Sequence, residues 1–182
     1  MLIVLLLFSM GKEFLYSDSV VVIVYLCDVK IILQQLNLPD IELKITDEGG
    51  SALVFDILRK KYVRLTPEEW VRQHIIHYFI HQLGYPAGLI AVEMQIRLNR
   101  MVRRCDIIVF DNAGNPLMVT ECKSFTMPLT LNAFEQVIRY NSVLKVNYIA
   151  VSNGLDHYCC RMSSDGSWEY LPAFPAYHAL FG

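Results

Sequence analysis

At 182 residues and a net charge of −2, the chain has the size of one domain with room for a real core. It carries no global positive potential that would draw it to nucleic acid, so any such contact must come from a local patch. Its five cysteines are odd in number and form no C-x-x-C, which argues against a disulfide framework and for a reducing cytoplasm; no G-x-x-x-x-G-K-S/T occurs, so these residues hold no P-loop motor.

The N-terminal stretch is apolar in two runs, Met1 to Phe8 and Val20 to Leu26. Neither approaches the ~18–20 apolar residues that a membrane-spanning helix needs. No positive segment precedes the first run and no small-residue cleavage site follows it, so it is a poor signal peptide. Residues 1–33 therefore read as an extension outside the domain, poorly packed against it, and residues 34–182 as the domain. No stable membrane association is expected.

Leu38 to Asp56 suggests one or two short strands around the turn Asp47-Glu48-Gly49-Gly50, followed by a basic edge at Arg59-Lys60-Lys61. The first clear helix starts at Thr66. Thr66 is the N-cap, Pro67 sits at N1, and Glu69 at N3 completes a capping box. Apolar residues recur through Val71, Ile75, Ile76, Phe79 and Leu83, and Gly84 and Pro86 end the helix. Val92 to Leu98 alternates as a strand with one polar face. A second helix opens at Met127-Pro128-Leu129-Thr130 and runs to about Ser142. Asn147 to Ser152 reads as a buried strand and His157 to Met162 as its neighbour, with an aromatic tail from Trp168 to Phe174. The order helix, three strands, helix, strand predicts an α/β fold: a mixed sheet with helices on both faces.

The centre of the chain is the pair Arg103 to Phe110 and Leu117 to Lys123, two β-branched apolar runs joined by the turn Asp111-Asn112-Ala113-Gly114-Asn115-Pro116. A symmetric register about Ala113 and Gly114 sets Phe110 opposite Leu117, Ile108 opposite Val119, and Asp106 opposite Glu121. Directly opposed residues share a face, with Cβ atoms roughly 5 Å apart. Alternation puts Lys123 on the face of Glu121 and turns Cys122 away. Two carboxylates so placed repel each other, and a hard divalent ion such as Mg²⁺ would relieve that, since it takes oxygen ligands and few carboxylates. Lys123 beside such an ion could hold a water, the arrangement that metal-assisted phosphodiester hydrolysis requires. The same repulsion predicts that Asp106→Ala leaves the metal-free fold no less stable.

These residues resemble a known family. Asp106 followed by Glu121-Cys122-Lys123 looks like the PD-(D/E)xK nuclease superfamily. Glu69-x-x-Arg72, Arg104-x-Asp106, Glu121-x-Lys123 and Gln136-x-x-x-Tyr140 together resemble the N-terminal nuclease domain of type I restriction enzyme R subunits, over roughly Ile41 to Pro175. Cys105 stands where the superfamily name has proline. The resemblance implies a three-layer restriction-endonuclease-like fold and a Mg²⁺-dependent DNA endonuclease, with Mn²⁺ as a substitute. It implies that Asp106, Glu121 and the carbonyl of Cys122 hold the ion, that Glu69 supports it, and that Gln136 orients Lys123 or a phosphate. DNA is the expected partner, and a separate motor or specificity subunit a further one.

Several features have plainer readings. Glu69 can be a capping residue alone. Gln136 and Tyr140 share a helix face, which an amphipathic helix with Tyr140 partly in the core would also show; beside a nuclease site Tyr140 would touch DNA. Arg97, Arg100, Arg103 and Arg104 form a local basic cluster, either solvated or in contact with phosphates. His74, His77 and His81 share a helix face, but a structural zinc site wants four protein ligands and no matching pair is present, so they read as a polar stripe. The competing overall reading is a catalytically silent module that binds DNA or protein on the same fold.

Overall fold

The structure, a computed structural model, describes residues 21–26, 29–98 and 101–181. A hairpin of β1 (Val21–Leu26) and β2 (Val29–Gln34) leads in. It is followed by a three-stranded antiparallel sheet of β3 (Ile45–Glu48), β4 (Ser51–Asp56) and β5 (Lys61–Arg64). Then come α1 (Pro67–His81), β6 (Ile90–Leu98), β7 (Met101–Phe110), β8 (Pro116–Cys122), α2 (Leu131–Leu144), β9 (Tyr148–Ser152), β10 (His157–Met162) and β11 (Trp168–Leu171). The last six strands make one sheet in the order β11-β10-β9-β8-β7-β6. All its neighbours are antiparallel except β8 and β9, which α2 joins as a crossover. The expected mixed sheet with a helix on each face is therefore present.

Each face has its own core. On one, Val71, Ile75, Ile76 and Phe79 of α1 pack on Ile107, Val109, Met118 and Ala150. On the other, Ala133, Val137 and Tyr140 of α2 pack on Ile108, Val119, Ile149 and Val151. The alternation of β8 sorts Met118 to the α1 side and Val119 to the α2 side, as the pleat requires. The second side of α1 is also covered, because Ile45, Ala52 and Val54 of the small sheet join the same core. That covering buries His74 and His77, so the expected polar stripe is not a solvated one. His74 donates Nδ1–H to the Trp70 carbonyl at 2.8 Å, and burial lowers its pKa to about 4. Among the described residues no group of three or more His, Cys, Asp or Glu side chains is arranged to hold a metal.

Residues 1–20 lie outside the described residues, and so does most of the expected extension's side-chain detail. Leu33 and Leu36 are buried, and the Gln34 carbonyl accepts from Trp70 Nε1 at 3.0 Å. Asn37 N–H donates to Gly154 O at 2.7 Å. Gly154 has φ +83°, and a Cβ there would stand 2.8 Å from Leu36 Cδ2, so glycine is what lets the start of the domain seat on the β9–β10 turn. The tail expected after Trp168 contains a strand, β11, and sends Phe174 and Leu180 back into the core. No described helix is long and apolar enough to cross a membrane.

Candidate active site

The β7–β8 hairpin positions the site. Asp111 organises its turn, accepting from Ala113 and Asn115 N–H at 2.8 Å each. The ladder pairs Ile108 with Val119 and Ile107 with Thr120. The ladder stops there, one step short of the expected pair of Asp106 and Glu121. At the turn end, Phe110 pairs with Pro116 rather than Leu117, because a bulge after Val109 takes up one residue.

Asp106 does not sit in a plain alternating strand. Cys105 and Ile108 both belong to the α2-side core, and Ile107 and Val109 to the α1-side core, so the pleat slips by one at Asp106. On the neighbouring strand β6, Val92 pairs with Ile107 and Met94 with Cys105, while Glu93 between them drops out of the ladder with φ +55°. A non-glycine residue in that region is strained, and such strain gathers at functional sites. The slip lets the buried Asp106 carboxylate reach two ways. Oδ1 accepts from Arg72 Nη2 of α1 at 2.8 Å, and Oδ2 accepts from the Cys122 N–H of β8 at 2.7 Å.

Around Arg72 the α1 side is densely paired. Arg72 Nη1 donates to Glu69 Oε2. Glu69 Oε1 accepts from Arg59 Nη2 at 2.7 Å and Gln73 Nε2 at 2.8 Å. Asp56 at the end of β4 closes the network, accepting from Arg59 Nε at 2.6 Å and Gln73 Nε2 at 3.0 Å. Thr66 caps α1 through the Glu69 N–H, but the Glu69 side chain faces this network instead of returning to Thr66, so the capping box is only half made. Glu68, its neighbour, is half-exposed, and its pKa is raised by burial and by the charge of Asp106.

On the α2 side, Lys123 Nζ donates to Glu121 Oε1 at 2.7 Å and to Gln136 Oε1 at 3.1 Å. Gln136 Nε2 donates to the same Glu121 oxygen at 2.5 Å and to Tyr140 Oη at 2.7 Å. The i, i+4 spacing thus does bring Gln136 and Tyr140 together. Tyr140 is buried at 5% exposure, which makes it a support for Gln136 rather than a surface contact. Glu121 Oε2 is buried with no partner. Burial and the charge of Asp106 raise the Glu121 pKa to about 7. For Lys123 burial disfavours the charge, but the bond to Glu121 and the charges of Glu121, Asp106 and Glu68 together outweigh it and the pKa rises.

The remaining candidates divide by exposure. Arg97, Arg103 and Arg104 are exposed on the β6–β7 hairpin, and Arg104 donates to Glu93 at 2.8 Å. Arg100 lies outside the described residues. Cys122 is fully buried, and burial raises its thiol pKa, as it raises that of Cys105 to about 12, so neither is a nucleophile. The sequence reading missed Asp56, Arg59, Gln73, Glu68 and Glu93. Glu68 and Gln73 carried a local signal, the i, i+4 spacings of Glu68 to Arg72 and of Glu69 to Gln73.

These residues can take a divalent ion. A buried, unpartnered carboxylate oxygen beside a second carboxylate leaves negative charge that Lys123 alone does not neutralise, and two carboxylates are what Mg²⁺ usually takes from a protein.

Fold and cluster together define a mixed-sheet α/β domain whose carboxylates and lysine meet at the end of its central strands. The chain belongs to the family described as "Type I restriction enzyme R protein N terminus (HSDR_N)", which matches residues 67–175, more than half of its length. Among solved structures it is similar to a fragment assigned as an HsdR subunit of a type I restriction enzyme from Vibrio vulnificus YJ016, at 17% identity and a TM-score of 0.49, over 64% of this chain and 25% of that one. No curated protein matches the sequence.

Proposed function

We propose that this domain is a Mg²⁺-dependent DNA endonuclease of the PD-(D/E)xK type, with Mn²⁺ able to substitute, acting in the cytoplasm beside a separate motor or specificity subunit. The observation that carries this is the bare Glu121 Oε2, buried next to Asp106, on a carboxylate whose other oxygen holds Lys123. Membership in a restriction-enzyme family supports it.

Asp106, Glu121 and the Cys122 carbonyl would hold the ion. When bound, it would activate a water and offset the charge that builds on the phosphate. Lys123, fixed by Glu121 and Gln136, directs its ammonium at the same place and can orient the water or donate to a phosphate oxygen. Gln136 is itself fixed by Tyr140. Asp106 enters the reaction already aimed, because Arg72 and the Cys122 N–H hold its two oxygens. Glu69, saturated by Arg59, Arg72 and Gln73, acts on Arg72 rather than on the ion. Arg103 and Arg104 are placed to meet phosphates. Water is the nucleophile and no covalent intermediate is expected.

The test is incubation of the protein with supercoiled, linear, branched and single-stranded DNA in Mg²⁺, Mn²⁺ or EDTA, alongside thermal melts in the same buffers. Cleavage in either metal, none in EDTA, and none by Glu121→Gln is the expected result. No cleavage together with no metal-dependent rise in Tm would overturn it and leave the silent binding module.

A further inference from the structure

Arg72 Nη2 meets three carboxylate oxygens from three elements. Asp106 Oδ1 of β7 lies at 2.8 Å, Glu93 Oε1 of β6 at 3.1 Å and Glu68 Oε1 of α1 at 3.3 Å. A terminal guanidinium nitrogen carries two hydrogens, so it cannot give all three a full hydrogen bond. Charge, more than bond geometry, has gathered these oxygens. The guanidinium is 5% exposed, so little water screens it. Its Nη1 holds a fourth carboxylate, Glu69, and its Nε is buried with no partner.

As the side chains stand, the three carboxylates are gathered round a nitrogen and form no metal site of their own, but their oxygens are of the kind that a hard divalent cation takes. Here their meeting point is held by a cation attached to the chain. We propose that Arg72 is the built-in second cation of this site: its guanidinium fills the position a second divalent ion would take among Glu68, Glu93 and Asp106, and so limits the site to one ion. The inference rests on the one-ion reading above.

The position of Asp106 agrees with this. In sites that hold two ions a carboxylate commonly sits between them. Asp106 is the one acidic residue that both is proposed, with Glu121, to hold the ion and bonds Arg72. The strained backbone of Glu93 also gains a reason. Leaving the β6–β7 ladder is what brings its carboxylate to Arg72. Lysine would not serve equally, because only the planar fork can bond Glu69 through one nitrogen while it sets a second nitrogen among the other three carboxylates.

Counting bound Mn²⁺ by titration calorimetry and electron paramagnetic resonance tests this without catalysis. Wild type should bind one Mn²⁺. Glu121→Gln should lose it, which checks the underlying site alone. Arg72→Ala opens the position among Glu68, Glu93 and Asp106 and should bind two. Because Arg72→Ala can fail to fold without metal, a second variant keeps the question open to refutation. The double substitution Glu68→Gln, Glu93→Gln should still bind one, since neither residue holds an ion while Arg72 is present. Two Mn²⁺ in wild type, falling to one in that double variant, would overturn the proposal. So would a folded Arg72→Ala protein that binds only one. Wild type that binds none would instead refute the one-ion reading on which this depends.

Discussion

The α1 and α2 sides of the site are built on opposite plans. On the α1 side every acid has a base. Asp106 and Glu69 share Arg72, and Glu69 and Asp56 share Arg59. On the α2 side Glu121 has Lys123 and Gln136 on one oxygen and nothing on the other. The first plan fixes geometry, because breaking any member leaves a buried charge exposed to its neighbours. Arg72 Nε and Gln73 Oε1 lack partners on the first side, but only the second leaves a carboxylate oxygen unmet, which is what a site awaiting a cation requires. The two carboxylates proposed to hold one ion therefore differ in kind. Asp106 is part of the scaffold, and Glu121 is the part held at a disadvantage.

The strongest way to break this contrast is Asp106→Ala. The sequence alone suggested that relieving repulsion between two carboxylates would leave the metal-free fold as stable or more so. The pairing with Arg72 and the Cys122 N–H reverses that expectation. The variant strips a buried guanidinium of one of its two buried acids and orphans a buried backbone donor. Urea melts in EDTA should show a loss of about 3 kcal/mol or more, and cleavage should vanish. Stability equal to wild type would mean that the α1 side is not a scaffold.

Glu121→Gln should separate from it cleanly. Cleavage and ion binding are expected to disappear while stability in EDTA at pH 8 holds or rises. The sign follows from linkage. Glu121 titrates near 7 in the fold and near 4.5 unfolded, so between those values the native state holds the extra proton. Its contribution is fully present below pH 4.5 and is lost as pH climbs through 7. Wild type should lose roughly 3 kcal/mol across that window from this group, and Glu121→Gln should flatten the slope. Parallel pH–stability curves for the two proteins would refute the claim that Glu121 sits at a disadvantage.

What the sequence made legible was local. Turn arithmetic set Ile108 against Val119, helix spacing joined Gln136 to Tyr140, and Thr66 capped α1 as its residue type suggests. What it hid was long-range or irregular. Arg72 and Asp106 lie far apart in the chain, and nothing in either segment announces the pair. The slip at Asp106 depends on Glu93 adopting a positive φ, which no propensity favours in a glutamate. Asp56 and Arg59 reach the site only because the small sheet docks on α1, a tertiary event. His74 and His77 read as a polar stripe, and their burial was hidden for the same reason.

Gln136→Ala probes the α2 side without removing a charge. It takes away a contact to Lys123 and one to Glu121, both of which hold the ammonium in place. Cleavage should fall about tenfold to a hundredfold, while DNA affinity stays near wild type, because the group acts during the reaction. Equal losses in cleavage and binding would make Gln136 a phosphate contact.

The smallest effect should come from Arg104, the one arginine among the described residues of the β6–β7 hairpin that touches the site through another side chain. It is 63% exposed and paired with Glu93. An exposed pair of that kind contributes little, so Arg104→Ala should change stability by less than about 0.5 kcal/mol. Its effect belongs to DNA. If Arg104 meets a phosphate, its loss removes one released counterion, and the slope of log affinity against log salt should become shallower by about one, alike on all sequences. That sharpens the comparison at its edge, because Glu93 joins Arg104 outside to Arg72 inside. A variant with unchanged salt slope but a clear loss of stability would show that Arg104 belongs to the paired scaffold, and that the boundary between holding the site and meeting DNA lies further out along the hairpin.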